Sequence, residues 1–456
     1  MVFAAVVLAV AAKSWWKPGQ TVGLSLAYVL SLAMSHWLGA LIHTIPWYDA
    51  GNTGYVILGF TQCNYGTLAF GAGCLLAAPW ILQWIPRRNS YADPAVQARL
   101  PMVFIGFGIL FFTVLGKLLR NVPSFNAVAS CGVYLVVAGL CLLCWRAWRS
   151  GRRASFYFWL VPVAALPFIT TATMGFMGYG VAAAFLVFCF AFRFYRPRWL
   201  AAAGMLGILF LGVSLGVTYF RERAEIREAV WGGESYKERM ERMGKLFTEF
   251  EFFDIRNEEH LRRIEDRMNQ NDLVGRAVLN LYTGDTHYAN GQTLWEAALA
   301  LVPRILWPDK PVKAGSPDIV AKYTGLSFES DTSVGVGQVM EFYINFGTSG
   351  VVIGFLVIGT LLGLFDGMAA RRLNRGDFAG FAAWFVPGIG FLQTGGSLSE
   401  VSGTVAASVV LMVTMNKYIL PALFSLQAQR PPAGARRRAK ADGSSPRKNQ
   451  PDAAGR

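Results

Sequence analysis

Long apolar runs alternate with short charged connections up to residue 220 and again after residue 342. A run of about 20 mostly apolar residues is enough to cross a bilayer as a helix. Such runs lie near 20–43, 54–85, 100–119, 127–145, 155–172, 174–192, 199–220, 343–366, 378–396 and 400–423. Between the seventh and the eighth the pattern changes. Residues 221–342 are a polar stretch that holds 21 of the chain's 28 Asp and Glu residues. The pattern predicts an all-α fold: a polytopic transmembrane helix bundle of about 10–11 spans with one long helical extracytoplasmic loop. It divides the chain into an N-terminal bundle (1–220), the loop (221–342), C-terminal transmembrane helices (343–426) and a basic tail (427–456). The tail is rich in Arg, Lys, Ala, Pro and Ser without apolar periodicity, so it is expected to be disordered and cytoplasmic. Residues 1–12 are apolar but too short to cross before Lys13 and Lys17. No basic stretch precedes them, so they read as a half-span or the end of a longer helix, not as a signal peptide.

Within the loop, Glu234 to about Leu281 is amphipathic, with Leu261, Ile264 and Met268 on one helical face and mixed charges on the solvated side. Thr293-Leu-Trp-Glu296 has the spacing of a capping box, which predicts a short helix starting at Leu294 and ending by Pro303. Pro303-Arg304-Ile-Leu-Trp-Pro308-Asp309-Lys310-Pro311 follows, with three prolines that fix φ and restrict the residues before them. Ser316-Pro317 then offers a helix start and Gly325 a stop. After the loop, Gly350 and Gly354, then Gly359, Gly363 and Gly367, recur at four-residue spacing in one span. Such spacing lets helix backbones approach closely, and intramolecular packing is the expectation.

Composition agrees with a membrane class: 15% of residues are charged and 54% hydrophobic. The net charge of +14 does not indicate nucleic acid, because the loop, with 16 Lys and Arg against 21 acids, stands at −5. The basic excess lies in the connections that carry Arg87, Arg88 and Arg99, Arg146 to Arg153, Arg193 to Arg198, and Arg371 to Arg375. The alternate connections carry only Arg120. By the positive-inside rule the basic side is cytoplasmic and residues 221–342 are extracytoplasmic. The six cysteines all lie in apolar segments, and Cys141 with Cys144 lacks a second ligand pair, so neither zinc nor a disulfide framework is expected. No HExxH, Walker A, GxSxG or GxGxxG stands in a suitable setting.

Three groups carry candidate chemistry. Arg304 and Lys310 sit on the proline-stiffened frame, where a pair of cations suits a diphosphate or, with Asp309 beside them, forms a structural ion pair. Glu341 lies at the mouth of a span, where an ionisable residue is costly and so is a candidate base, a sugar-hydroxyl acceptor or an arginine partner. His287 lies outside the spans and can titrate near neutrality. His36 and His43 share one face of an early span and are expected to be structural hydrogen-bonding groups.

The segment Asn290-Gly-Gln-Thr293 through Val302-Pro-Arg-Ile-Leu-Trp-Pro-Asp-Lys-Pro311 and the later Glu341-Phe-Tyr-Ile-Asn-Phe-Gly347 together resemble bacterial oligosaccharide repeat-unit polymerases, the Wzy-type O-antigen and exopolysaccharide polymerases. The resemblance implies a glycosyltransferase that polymerises undecaprenyl-diphosphate-linked repeat units at the outer face of the inner membrane, without metal or other cofactor. It implies catalysis by Arg304, Glu341 and His287, and substrate binding by Arg304, Lys310, Arg276, Tyr343 and Asn345. Its partners would be the lipid-linked glycan, the bilayer, and a chain-length regulator and flippase of the same pathway. Alternatives are an O-antigen ligase acting on lipid A core and a lipid-linked oligosaccharide flippase. The flippase fits less well, because the spans are nearly free of charge and no internal repeat is visible.

Overall fold

The computed structural model describes residues 1–428 except 87–92, 116–117, 119–124, 175–176, 196–198, 233–236, 240, 242–243, 245–247, 303–306, 308, 311–315 and 329–333. The tail beyond Ala428, Arg304 and most of the proline segment lie outside the described residues. All regular structure among the described residues is helical. Residues 1–412 make one compact unit, and 413–456 are a second, in which a π-helical turn (Met415–Ile419) precedes the helix Leu420–Ala428.

In chain order the first unit holds α1 (Val2–Trp16), α2 (Leu24–Ile42), α3 (Thr53–Trp84), α4 (Pro94–Leu115), α5 (Ala127–Arg149), α6 (Arg153–Met174) and α7 (Met177–Phe192). Then come α8 (Trp199–Trp231), α9 (Glu258–Met268), α10 (Asn271–Thr283), α11 (Gln292–Ala300), α12 (Ser316–Thr324), α13 (Gln338–Asn374), α14 (Phe378–Gly390) and α15 (Leu398–Thr414). Seven helices among the described residues are long and apolar enough to cross a membrane, and α1, α7 and α14 are shorter apolar helices. The expected span at 378–396 is shorter as a helix than the sequence suggests. α14 carries Pro387 and ends at Gly390, and irregular backbone containing Gly395 and Gly396 precedes α15. The expected boundary at residue 220 is crossed by a continuous helix, α8, which runs on to Trp231.

The amphipathic stretch expected over 234–281 is not one continuous helix. Its part from Glu258 to Leu281 is divided between α9 and α10, which are separated at Asn269–Gln270 and both pack on the apolar helices. Leu261 and Ile264 of α9 share a buried cluster with Ile42, Tyr48 and Val217, and Met268 packs against it. Glu265, next to that face, accepts from Tyr48 Oη and lies 2.9 Å from His43 Nε2. α10 meets α3 backbone to backbone. A Cβ on Gly275 would fall 1.9 Å from the Tyr55 carbonyl oxygen, and one on Gly59 would fall 2.1 Å from that of Asn271. Only glycine at both positions permits this approach.

Helix α13 organises the rest. Phe346 and Gly347 interrupt it, with Gly347 at φ 60 and ψ −149, a region that other residues rarely enter. The chain reverses there, so that Phe342 packs on Gly354. Gln338–Asn345 thus lies folded back along the longer segment that follows. On that segment Gly359, Gly363 and Gly367 approach Phe70, Ala78 and Leu82 of α3, so the small-residue stripe serves packing within the chain. Lower on α13, buried Asp366 accepts from Thr21 Oγ1 (2.7 Å), Val22 N (2.6 Å), Leu24 N (3.3 Å), Ser25 N (3.4 Å) and Ser25 Oγ (2.9 Å). It thereby satisfies the free amides at the start of α2.

Candidate functional site

The two motif segments singled out in the sequence are hydrogen-bonded to each other. Asn290 (φ 46) and Gly291 (φ 90) are consecutive left-handed residues, and they turn the chain into α11. The turn directs the Gly291 N–H to Asn345 Oδ1 at 2.9 Å. Asn345 Nδ2 donates to Thr293 Oγ1 and to the Glu341 carbonyl, each at 2.7 Å. Ala289 N adds a bond of 2.8 Å to the Ile344 carbonyl. Thr293, Glu341 and Asn345 are all buried.

This geometry replaces the expected capping box. α11 begins at Gln292, with Gly291 at its N-cap and no side-chain cap bond. Thr293 faces Asn345 and Glu341 instead, and Glu296 accepts from Gln292 Nε2 at 3.2 Å. A tertiary partner for the threonine won over the local one. A reciprocal box does form at the start of α15, where Ser397 N donates to Glu400 Oε2 and Glu400 N to Ser397 Oγ, both at 3.2 Å. Ser397-Leu-Ser-Glu400 has the required spacing, so the sequence carries that signal.

Glu341 joins this second helix start to the first motif. Its Oε2 accepts from Leu398 N at 2.6 Å, and the Thr293 hydroxyl also hydrogen-bonds to its carboxyl group. With 1% of its surface exposed, Glu341 serves as an anchor between α11, α13 and α15 rather than as a surface acid. Glu400 stands nearby and accepts from Ser316 Oγ of α12 at 3.4 Å.

A second polar centre lies one turn earlier, at the start of α13. Irregular backbone from three places meets there. Gln338 N donates to the Thr394 carbonyl and Gly337 N to that of Gly395, both at 3.1 Å. The Gln338 side chain accepts from Tyr28 Oη at 2.5 Å and donates to the Gln393 carbonyl at 3.0 Å. From the third place, Gln270 N donates to the Ser35 carbonyl at 2.9 Å, and Asn271 Nδ2 to the His36 carbonyl at 2.7 Å. Ser35 and His36 belong to a π-helical turn, Ala33–Trp37, within α2. Such turns interrupt the regular ladder and recur at functional places in helices. His36 Nδ1 bonds Asn271 Oδ1 at 2.8 Å, as expected of a structural histidine. His36 Nε2, Asn269 Nδ2 and Gln270 Oε1 are buried without partners among the described residues. Apart from His36, its members carry no signal in sequence: Tyr28 and Ser35 are single polar residues in an apolar run, and Asn269-Gln-Asn271 sits in a charged stretch.

The remaining sequence candidates fall in different surroundings. Arg304 lies outside the described residues. Lys310 is buried, and its Nζ donates to the Val302 carbonyl at 2.8 Å. Arg276 is half-buried on α10, donates to Asp272 Oδ2 at 2.9 Å and stacks 4.5 Å from the Tyr55 ring centroid. Tyr343 is buried and hydrogen-bonds Tyr288, whose hydroxyl also approaches Gly347. His287, next to Tyr288, is exposed. The structure thus joins Asn345 to Glu341, pairs Tyr343 with Tyr288, leaves His287 exposed, and uses Arg276 in an ion pair of its own helix.

The fold and this joint define an all-helical protein whose membrane-length helices are cross-linked by polar groups at their breaks. Residues 85–424 match the family described as "Domain of unknown function (DUF8712)", and the chain belongs to that family. No curated protein and no solved structure matches it. The matched region includes the joint of Thr293, Glu341, Asn345 and Ser397, whereas His36 and Gly59 lie before it.

Proposed function

We propose that the protein is a polytopic enzyme of the bacterial inner membrane that polymerises polyprenyl-diphosphate-linked oligosaccharide repeat units. The observation that carries the reading is the Asn345 amide, which binds both motif segments responsible for the family resemblance. In the proposed orientation α11 and its neighbours face the periplasm. The acceptor sugar hydroxyl attacks the anomeric carbon of the donor. The bond from that carbon to the phosphate oxygen breaks, and polyprenyl diphosphate leaves. The leaving group is already activated, so the protein must supply cations for it and a base for the hydroxyl proton. Exposed His287 takes the proton, and Arg304 stabilises the diphosphate. Glu341 is a positioning residue, because its carboxylate is engaged by Leu398 N and Thr293.

Glycan-length profiling of a deletion strain tests the reading. Lipid-linked or capped single repeats are expected, with long polymer restored by the wild-type gene and not by His287→Ala or Arg304→Ala. Normal long polymer in the deletion overturns the assignment, and accumulation of free polymer marks a ligase instead.

A further inference from the structure

Helix α11 buries one face, and its outer side carries exposed apolar residues beside the Gln292–Glu296 pair. Thr293, Ala297 and Ala300 point into the protein. On the opposite side Trp295 is 64% exposed, and at the C-terminal end Leu301, just past the last turn, is 50% exposed. Glu296 is the only charged residue from Asn290 to Val302, and Gln292 holds it. A soluble surface helix would carry charges on its outer face, and contiguous exposed apolar surface of this kind marks a contact.

The surroundings say with what. Gly291 lies against the Phe346 ring, at 3.2 Å from a Cβ placed there, and Phe346 is 52% exposed at the interruption of α13. Trp295 follows Gly291 by one helical turn. Beyond the interruption α13 continues outward-facing and apolar through Ile353, Val357 and Leu361, which are all exposed. The exposed apolar surface of a membrane-length helix therefore runs up to Phe346 and turns onto α11. Tryptophan at the upper end of such a surface is the residue type that favours the bilayer interface, where its ring is half apolar and half wet.

We infer that α11 is an in-plane interfacial helix whose Trp295 and Leu301 sit in the lipid headgroup and upper acyl region, so that the bilayer covers this face. The inference rests on the membrane reading above but not on the enzymatic one. Its consequence is positional. Because α11 is fixed to Asn345 and Glu341 through Gly291 and Thr293, the lipid surface sets the height of that joint.

Single-cysteine labelling tests this, since all six native cysteines are buried. Trp295→Cys, Ile353→Cys and Tyr282→Cys, each carrying a bimane probe, are reconstituted in phosphatidylethanolamine–phosphatidylglycerol vesicles. Quenching is measured with headgroup-proximal doxyl lipid, with chain-terminal doxyl lipid and with aqueous iodide. Position 295 is expected to lose emission to the proximal doxyl lipid and to be shielded from iodide. Ile353 should respond to the chain-terminal doxyl lipid, and Tyr282, 87% exposed at the end of α10, to iodide. Iodide quenching at 295 as strong as at 282 overturns the proposal. So does shielding of 295 from all three quenchers, which would mean a protein covers the face. Absence of doxyl quenching at Ile353 overturns the membrane reading itself, and is thereby told apart from failure of α11 alone.

Discussion

Asn345 Nδ2 and Thr293 Oγ1 are 2.7 Å apart across 52 positions of sequence. The same amide accepts from Gly291 N and donates to the Glu341 carbonyl, so one side chain satisfies three groups on two segments. No other residue type of that size offers an acceptor and two donors in one plane. The threonine in turn hydrogen-bonds Glu341, which holds Leu398 N. Three helices, α11, α13 and α15, are therefore tied through a single amide and a single carboxylate.

Asn345→Ala should destabilise the protein by about 2–4 kcal/mol, because it leaves buried donors and an acceptor without partners. Asn345→Asp keeps the oxygen facing Gly291 but sets a charge against the Glu341 carbonyl, so it should not rescue. Thermal unfolding of the detergent-solubilised variants checks this, and a midpoint equal to wild type in Asn345→Ala would remove the joint from the account.

Asp366→Asn tests the other end of α13. The carboxylate accepts five hydrogen bonds from Thr21 to Ser25, and an amide offers one oxygen and two donors to the same set. Bonds to a charged acceptor contribute roughly 1.5–3 kcal/mol each at most, so a loss of about 3 kcal/mol is expected. Limited proteolysis should also cut near Gln20 faster in the variant, since the start of α2 loses its cap.

The helical content and most long helices were legible because about 20 apolar residues in succession allow little else. The face of α9 was legible too, since Leu261, Ile264 and Met268 follow helical spacing and meet Ile42 and Val217. What stayed hidden depended on long-range partners. Thr293 has a local cap geometry in sequence and a tertiary partner in space, and a local rule cannot choose between them. The insertion of Asn269–Asn271 beside Ser35 and His36 was hidden for the same reason, since polar residues after the apolar face of α9 read as solvated until their distant partners are known. Ser397 is a different case. The expected span at 400–423 is the helix that Ser397 and Glu400 begin, so its start signal is local and lies in plain view at the boundary of that run.

Tyr48 gives a pH-dependent expectation outside the apolar helices. Burial, and then its hydrogen bond to Glu265, push the phenol well above its usual value. The unfolded chain releases this proton near pH 10 while the folded chain retains it. The folded state therefore binds more protons in that window, and stability falls as pH rises above about 10. Tyr48→Phe should remove this contribution to the slope and cost about 1 kcal/mol at neutral pH, where the donor to Glu265 is lost. Unfolding midpoints of both proteins between about pH 8 and about pH 11, spanning the phenol range, decide it, and parallel curves would contradict the assignment.

Gly275 and Gly54 make opposite predictions for the same substitution. In a helix, alanine is favoured over glycine by about 1 kcal/mol, so Gly→Ala stabilises wherever space allows. Gly54, in the first turn of α3, has nothing within 4 Å of a new Cβ. Gly275, in α10, would place its Cβ 1.9 Å from the Tyr55 carbonyl oxygen, and no flexible side chain is there to move aside. Backbone must shift by more than 1 Å, since real contacts lie above about 3 Å, and overpacking of that kind costs roughly 1–3 kcal/mol. Relief by sliding α10 outward is opposed by Asn271, whose amide is fixed to the His36 carbonyl at 2.7 Å. Gly54→Ala should therefore raise the unfolding midpoint slightly and Gly275→Ala lower it clearly. A rise in both would mean that α10 is not seated on α3 and that the segment 269–283 belongs to the solvated part of the chain after all.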